Sequence, residues 1–378
     1  MSVLRKFFKN SNIYNFLKII SELNSYTFGH LSFLLGIICL SSALPISIIF
    51  LLISVSISIK KDFKNFFSDN WNNALFITSI LMLLSSCLRT YLPNNYELSY
   101  LTKNSWVDLL NWIPLFISFY AFQSYLRTSK DRILCAQAII IGSLPVIFSC
   151  ISQYWFKVYG PFNTLFGLIT WYQKPFENNL SGVTGLFSNP NYSGYWLATI
   201  LPFSIYFLTK NKSKKNIFFL FLNSLLILYF LINTSSRNAL ISISLSTILI
   251  ISTKTLFITL LFLITVVFVL NILNILFAIN LLELISGLLP EKLIQKLLLF
   301  KNFNINSFHR YDIYKNAIQF ILQKPLWGWG ATTFGTLYFL ESGLSAATHT
   351  HNLILELIYN YGLFVSLIIC IFIFNLLL

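Results

Sequence analysis

Long apolar runs recur along this sequence, near residues 72–88, 106–125, 133–156, 191–209, 216–232, 238–252, 255–279 and 361–378. A hydrocarbon core about 30 Å thick needs about 20 apolar residues per helix, fewer where anchors flank it. Runs of that kind, repeated to the last residue, predict a bundle of membrane-crossing helices. Composition agrees: 10% of the 378 residues are charged and 56% are hydrophobic, against roughly 25% charged in ordinary globular domains. With Asp and Glu together numbering only 12, a carboxylate-rich soluble enzyme is excluded. The net charge of +14 would suggest nucleic acid in a soluble chain. Here its meaning depends on where the cations fall relative to the apolar runs.

The run from about 28 to 59 is too long for one straight helix, and Pro45 interrupts it after Ser41-Ser42-Ala43, where a tight reversal is tolerated. Arg5, Lys6, Lys9 and Lys18 precede it, and Lys60, Lys61 and Lys64 follow. Cations favour the cytoplasmic side, so both flanks belong there and the run is expected to form a helical hairpin. With that choice the alternation holds: Arg127, Lys130, Arg132, Lys210, Lys212, Lys214, Lys215 and Lys254 all fall inside. The expectation is an all-α polytopic membrane protein of about ten helices, with both termini inside. Residues 28–378 form the membrane domain, and the first run reads as an uncleaved anchor because no small-residue cleavage site follows it. Residues 1–27 mix Phe7, Phe8, Phe16, Leu17 and Ile20 with four cations, the pattern of a basic amphipathic surface segment, with disorder as the alternative. The basic residues thus point to membrane lipid as a partner and away from nucleic acid.

The outer face receives four connections, near 89–105, 157–190, 233–237 and 280–350. So long a final loop is expected to contain helices. In residues 310–323, Asp312, Lys315, Asn316, Gln319 and Gln323 recur at helical spacing opposite Tyr311, Tyr314, Ile318 and Ile321, which predicts an amphipathic helix at the membrane surface. A second interfacial element is expected over 281–300, split by Pro290. The five cysteines all lie in apolar runs without ligand spacing and read as small buried apolar residues.

Four polar features gather on the outer side. Asn189-Pro190-Asn191 opens a helix, where Asn side chains cap orphan N–H groups; a cap alone would explain them. Arg237 ends Asn233-Thr-Ser-Ser between two closely spaced apolar runs, so it must snorkel, pair or face a polar cavity, and an anionic ligand is a natural partner. Arg310 sits at the start of the amphipathic helix, where fixed charge and free backbone donors suit phosphate oxygens; a solvated loop arginine is the competing view. Thr348-His349-Thr350-His351-Asn352 lies where the chain re-enters the membrane. An imidazole can take a proton from a hydroxyl near neutral pH. A His-x-His zinc site would need a third ligand, for which only isolated acids such as Glu341 and Glu356 are at hand, and simple polar satisfaction at the interface is a further alternative. Two arginines and a base on one face suggest transfer from a membrane-borne phosphorylated donor. His30, at the mouth of the first helix, reads as interfacial.

At these residues the sequence resembles the O-antigen ligase family, which includes the related O-antigen polymerases. The resemblance runs through GLFSNPNYSGYWLATILPF, NTSSRNALISIS, RYDIYKNAIQFILQKPLWGWGATTF and THTHNLILELIYNYG, in that order, over residues 185–362. It implies a bundle of about a dozen membrane helices with a large periplasmic loop near the C-terminal end. It further implies an inverting glycosyltransferase that needs neither metal nor cofactor and lies in the inner membrane with its site facing the periplasm. The donor would be a glycan on undecaprenyl pyrophosphate, and the acceptor a lipid A core sugar or another lipid or glycan. In the family the catalytic histidine precedes an asparagine, which puts that role on His351, followed by Asn352 and Leu353. His349 is auxiliary, and the pyrophosphate-binding arginines would correspond to Arg237 and Arg310. Asn189, Asn191 and Asn352 complete the expected substrate-binding set.

A polymerase, using a second lipid-linked repeat unit as acceptor, needs the same donor site and the same base. From another class, a bicarbonate-uptake-associated transporter would place ionisable residues midway through its helices. The apolar runs contain almost none, and the His351-Asn352 pair favours glycan chemistry.

Overall fold

The computed structural model describes residues 25–91, 102–175, 182–210, 213–250, 309–343 and 347–377. In chain order these form α1 (Ser25–Cys39), α2 (Leu44–Asp62), a 3-10 segment (Phe63–Ser68), α3 (Asn70–Tyr91), α4 (Thr102–Gln123) and α5 (Ser129–Tyr154). Next come strands β1 (Phe162–Thr164) and β2 (Ile169–Trp171), then α6 (Pro190–Lys210), α7 (Lys214–Asn233) and α8 (Arg237–Ile250). The last elements are α9 (His309–Gln323), α10 (Phe334–Ser342), α11 (Leu353–Tyr361) and α12 (Leu363–Leu377).

Among the described residues, four helical segments are long and apolar enough to cross a membrane: Leu44–Lys61, Asn70–Thr90, Ser129–Tyr154 and Lys214–Asn233; shorter apolar helices cover Thr27–Cys39 and Leu363–Leu376. The expected count of about ten is therefore not reached among these residues. The run at 255–279, the interfacial element at 281–300 and most of the basic segment 1–27 lie outside them. The hairpin expected around Pro45 is present, since α1 stops at Cys39 and α2 starts at Leu44. Proline at the first helical turn has no intrahelical partner to lose.

The helices are apolar outside, and small hydroxyl side chains are buried among the apolar residues within. Ile49, Leu52, Leu84, Phe148 and Phe218 are exposed, whereas Ser47, Ser54, Ser58, Ser85 and Ser143 are buried. In lipid, small hydroxyl side chains let helices approach and bond across them. Ser47 donates to the Gly36 carbonyl (2.7 Å), and Ser58 donates to the Ala121 carbonyl (2.8 Å) and pairs with Ser124 (2.9 Å). Cys150 is buried and the other four cysteines are half-buried, all of them free thiols.

The chain divides into two compact units, Met1–Ser54 with Leu126–Asn302, and Val55–Tyr125 with Phe303–Leu378. In the first, α5, α6, α7 and α8 share a core of Val146, Leu197, Ile200, Phe230, Leu231 and Ala239. Helix α5 begins at a capping box in which Thr128 and Asp131 satisfy each other's backbone donors. Its far end carries a buried polar knot. The Gln153 side-chain oxygen accepts from the N–H groups of Thr184 (3.1 Å) and Gly185 (2.9 Å), and its amide donates to the Lys174 carbonyl and the Thr184 hydroxyl. All of these amide groups are matched, so the knot stiffens the connection that follows α5.

That connection holds the antiparallel pair β1–β2, with Phe162 opposite Trp171 and Asn163 opposite Thr170. The sequence reading placed an outer connection of an all-α chain here and expected no strands. Short strands joined by Leu165-Phe166-Gly167-Leu168 lack the Asn-Gly or Asp-Gly turn that marks a hairpin.

In the second unit, Met82, Leu109, Leu357, Tyr361, Val365 and Ile369 join α3, α4, α11 and α12. Ile313, Ala317, Phe320, Phe334, Tyr338 and Tyr359 join α9, α10 and α11. Arg89, near the end of α3, ties these parts together. It donates to the carbonyls of Ser85 (3.0 Å) and Asn360 (2.6 Å) and lies 5.8 Å over the Tyr361 ring, while Tyr361 donates to Asp108 (2.5 Å). From the sequence Arg89 looked like the first residue of an outer connection.

Candidate functional site

Helix α9 is the amphipathic helix predicted over 310–323. Ile313, Ala317, Phe320 and Ile321 turn inward, and Tyr311, Asp312, Lys315, Ile318 and Gln319 are exposed. Its C-terminal turn meets that of α11 through Phe320 and Tyr359, whose ring centres are 6.3 Å apart. Trp329 locks the corner, donating its backbone N–H to the Tyr359 carbonyl (2.6 Å) and its indole N–H to the Phe320 carbonyl (2.7 Å). The Lys324 ammonium lies 3.8 Å over the Trp329 ring. Burial, and after it the charge of Arg89, hold this lysine below its ordinary pKa. Arg310 occupies the first turn of α9, the N-terminal end of the same core.

Residues 347–352 enter α11 as a strap. The Asn352 side chain caps the helix by accepting from the N–H groups of Ile354 (2.9 Å) and Leu355 (3.2 Å). Thr350 is fully buried; its hydroxyl donates to the Asn352 carbonyl (3.0 Å) and its N–H donates to Glu356 (2.8 Å). Between these two fixed residues His351 takes φ +56°, in the left-handed region. A non-glycine residue there carries strain on the order of 1–3 kcal/mol and persists only where its surroundings over-determine it. The His351 side chain is exposed, with its ring centre 4.1 Å from that of His349, and His349 Nδ1 lies 3.0 Å from the Thr348 hydroxyl. The strap thus presents two imidazoles outward from a rigid base.

Glu356 holds that base from inside the helix, accepting from Thr350 through one oxygen and from the Asn360 amide (3.3 Å) through the other. Replacing Glu356 with alanine leaves the Thr350 N–H without this acceptor and is expected to cost about 1–3 kcal/mol. Glu356→Gln, which keeps an oxygen there, should recover most of the loss. Thermal unfolding of the purified variants in one detergent checks both.

The remaining predicted residues belong to the first unit. The side chain of Asn189 accepts from the Asn191 N–H (2.8 Å), opening α6 as an asparagine cap does; both residues are exposed. Arg237 is the first residue of α8 and half-buried. The two motifs share one corner. The Val183 N–H donates to the Asn233 carbonyl (3.0 Å), and at Gly194 a β-carbon would lie 2.9 Å from Ser236 Cβ and 3.0 Å from Ala239 Cβ. Ser235 adopts φ +53°, and the buried Ser236 hydroxyl has no hydrogen-bond partner. The structure therefore groups the sequence-derived residues in two sets, Asn189, Asn191 and Arg237 in one unit and Arg310, His349, His351 and Asn352 in the other. Among the described residues no three His, Cys, Asp or Glu side chains gather as metal ligands.

Residues 222–370 match the family model described as O-antigen ligase. Over this segment, less than half of the chain, the sequence is similar to the O-antigen ligase family. The matched segment takes in Arg237, Arg310, His349, His351 and Asn352, and it begins after Asn189 and Asn191, so the match starts later than residue 185, where the resemblance was drawn. Comparison with curated proteins and with solved structures finds no match. The chain's apolar helices, several of them long enough to cross a membrane, together with the family match describe a membrane protein similar over residues 222–370 to O-antigen ligases. The sequence reading weighed Glu356, inside the matched segment, only as a possible zinc ligand and gave the neighbouring Thr350 no role. The sequence signal that could have found them is their spacing, a buried threonine one residue before the histidine and an acid in the first turn after the Asn352 cap.

Proposed function

We propose that this protein is an inverting, metal-independent glycosyltransferase that moves a glycan from undecaprenyl pyrophosphate to a lipid A core sugar or a similar acceptor, on the periplasmic face of the inner membrane. His351 is the general base: it takes the proton of the acceptor hydroxyl as the oxygen attacks the anomeric carbon. The bond to the carrier breaks in the same displacement, and undecaprenyl pyrophosphate leaves as the anion. Arg310 binds that anion, with His349 and Asn352 contributing polar contacts, and by the family resemblance Arg237, Asn189 and Asn191 are substrate-binding residues as well. The observation that carries this reading is the strained, outward-facing His351, fixed between Thr350 and Asn352 inside the family-matched segment. Strain of this kind collects at functional sites.

Gel electrophoresis of surface glycans from a strain lacking the chain tests the reaction. Loss of a ligase leaves core without polymer and polymer retained on the carrier lipid. Core bearing a single repeat unit would instead assign the chain as a polymerase. For the clamp, Arg237→Ala and Arg310→Ala are each expected to weaken donor binding and lower transfer by about 10²-fold. Lysine at either position restores only part, since it lacks the planar two-pronged donor set. Donor titration with protein in vesicles measures this; unchanged donor affinity in both variants would remove the arginines from the mechanism.

A further inference from the structure

The β1–β2 hairpin ends in an apolar turn that water would not select. Gly167 donates its N–H to the Thr164 carbonyl (3.2 Å), closing a turn whose two central residues, Leu165 and Phe166, have φ of +50° and +56°. These are the positions of a mirror-image hairpin turn that normally take asparagine, aspartate or glycine. Leucine and phenylalanine carry a backbone penalty there that burial in the protein does not offset at Phe166, which is completely exposed; Leu165 and Leu168 are exposed as well.

The base beneath this tip is rigid. The Trp171 indole donates to the Ser42 carbonyl (2.6 Å), and the Gly160 N–H donates to the Gln173 carbonyl (3.0 Å). The Gln173 amide is itself bonded to the Ser149 hydroxyl (2.6 Å), the Ser152 hydroxyl and the Val158 carbonyl. A fixed stem carrying a strained apolar tip is a device for presenting that tip to something outside the chain.

Two further observations identify the occupant. The connection starts at Trp155 and Phe156, both exposed, directly after a helix long and apolar enough to cross a membrane. Aromatic residues at such a position mark the level of the lipid headgroups. From Gln153 to Pro175 the sequence contains Lys157 and Lys174 and no acid, which suits an anionic surface. We propose that the hairpin is an interfacial anchor: Leu165, Phe166 and Leu168 insert into the headgroup–acyl boundary of the leaflet at the C-terminal end of α5, with the two lysines at its phosphates.

The test uses the full chain, with its native cysteines replaced, in vesicles of phosphatidylethanolamine and phosphatidylglycerol. A spin label at Leu168→Cys is expected to relax more with oxygen than with a water-soluble nickel chelate, and several-fold more so than a label at Asn163→Cys. In the background Leu165→Asn with Phe166→Gly the turn keeps its favoured conformation and loses its apolar tip, so the label at 168 should shift toward the nickel chelate. Equal access to the chelate at positions 168 and 163, or no change in the double variant, would overturn the anchor. A photoreactive benzophenone side chain at position 166 gives a second readout. It should label lipid, and an adduct to another copy of the chain would replace the membrane by a protein interface.

Discussion

Replacing His351 with alanine is expected to lower glycan transfer by about 10²–10⁴-fold, the usual contribution of a positioned general base. Donor binding should persist, because the proposed clamp arginines are untouched. The backbone gives this prediction a control. At φ +56° glycine meets no steric penalty, so His351→Gly should be at least as stable as the parent and equally inactive. A loss of activity without loss of stability separates the chemistry of the imidazole from the architecture of the strap. The measurement is transfer by purified protein in vesicles containing lipid-linked donor and acceptor, with thermal unfolding run in parallel. Transfer at the parental rate by either variant, at equal protein amounts, would rule out His351 as the base.

The second large effect concerns folding. Gly362 separates α11 from α12 at φ +88° and ψ 176°, a conformation open essentially to glycine alone. A side chain there would also collide with the Leu326 carbonyl. The neighbouring Leu363 N–H meanwhile donates to the Pro325 carbonyl (2.8 Å), so the backbone has no freedom to withdraw. Gly362→Val combines strain with overlap and is expected to cost about 3 kcal/mol or more. Against a typical total stability of about 5–15 kcal/mol, that should lower the yield of folded protein and its unfolding temperature. Gly362→Ala should show the same defect in weaker form. An unchanged unfolding temperature in the valine variant would mean that the break between α11 and α12 tolerates a side chain, contrary to the geometry.

Much of the helical layout is legible in the residues. The reversal near Pro45, the short connection before Arg237 and the amphipathic helix over 310–323 are local, because proline geometry, charge placement and apolar periodicity act over a few residues at a time. The β-hairpin was not legible, since its turn uses Leu165 and Phe166 where the usual signal is asparagine or glycine. Arg89 was misread for a related reason. An arginine at the end of an apolar run looks like an interfacial residue, and only its bonds to the Ser85 and Asn360 carbonyls make it a tie between α3 and α11.

The site divides in the same way. Residue type and order singled out Arg237, Arg310 and the His349–His351 pair, because an imidazole and a guanidinium each have chemistry that survives without knowledge of their neighbours; the family resemblance then put the base on His351 and added Asn352. The sequence likewise determined the lipid-directed character of the chain, which follows from run length and hydropathy. What only the tertiary structure decided is how the histidine is held: the left-handed backbone at His351, the burial of Thr350 and the reach of Glu356 back to it. Those depend on which backbone N–H points at which oxygen after the helices have packed, and no local pattern of residues specifies that.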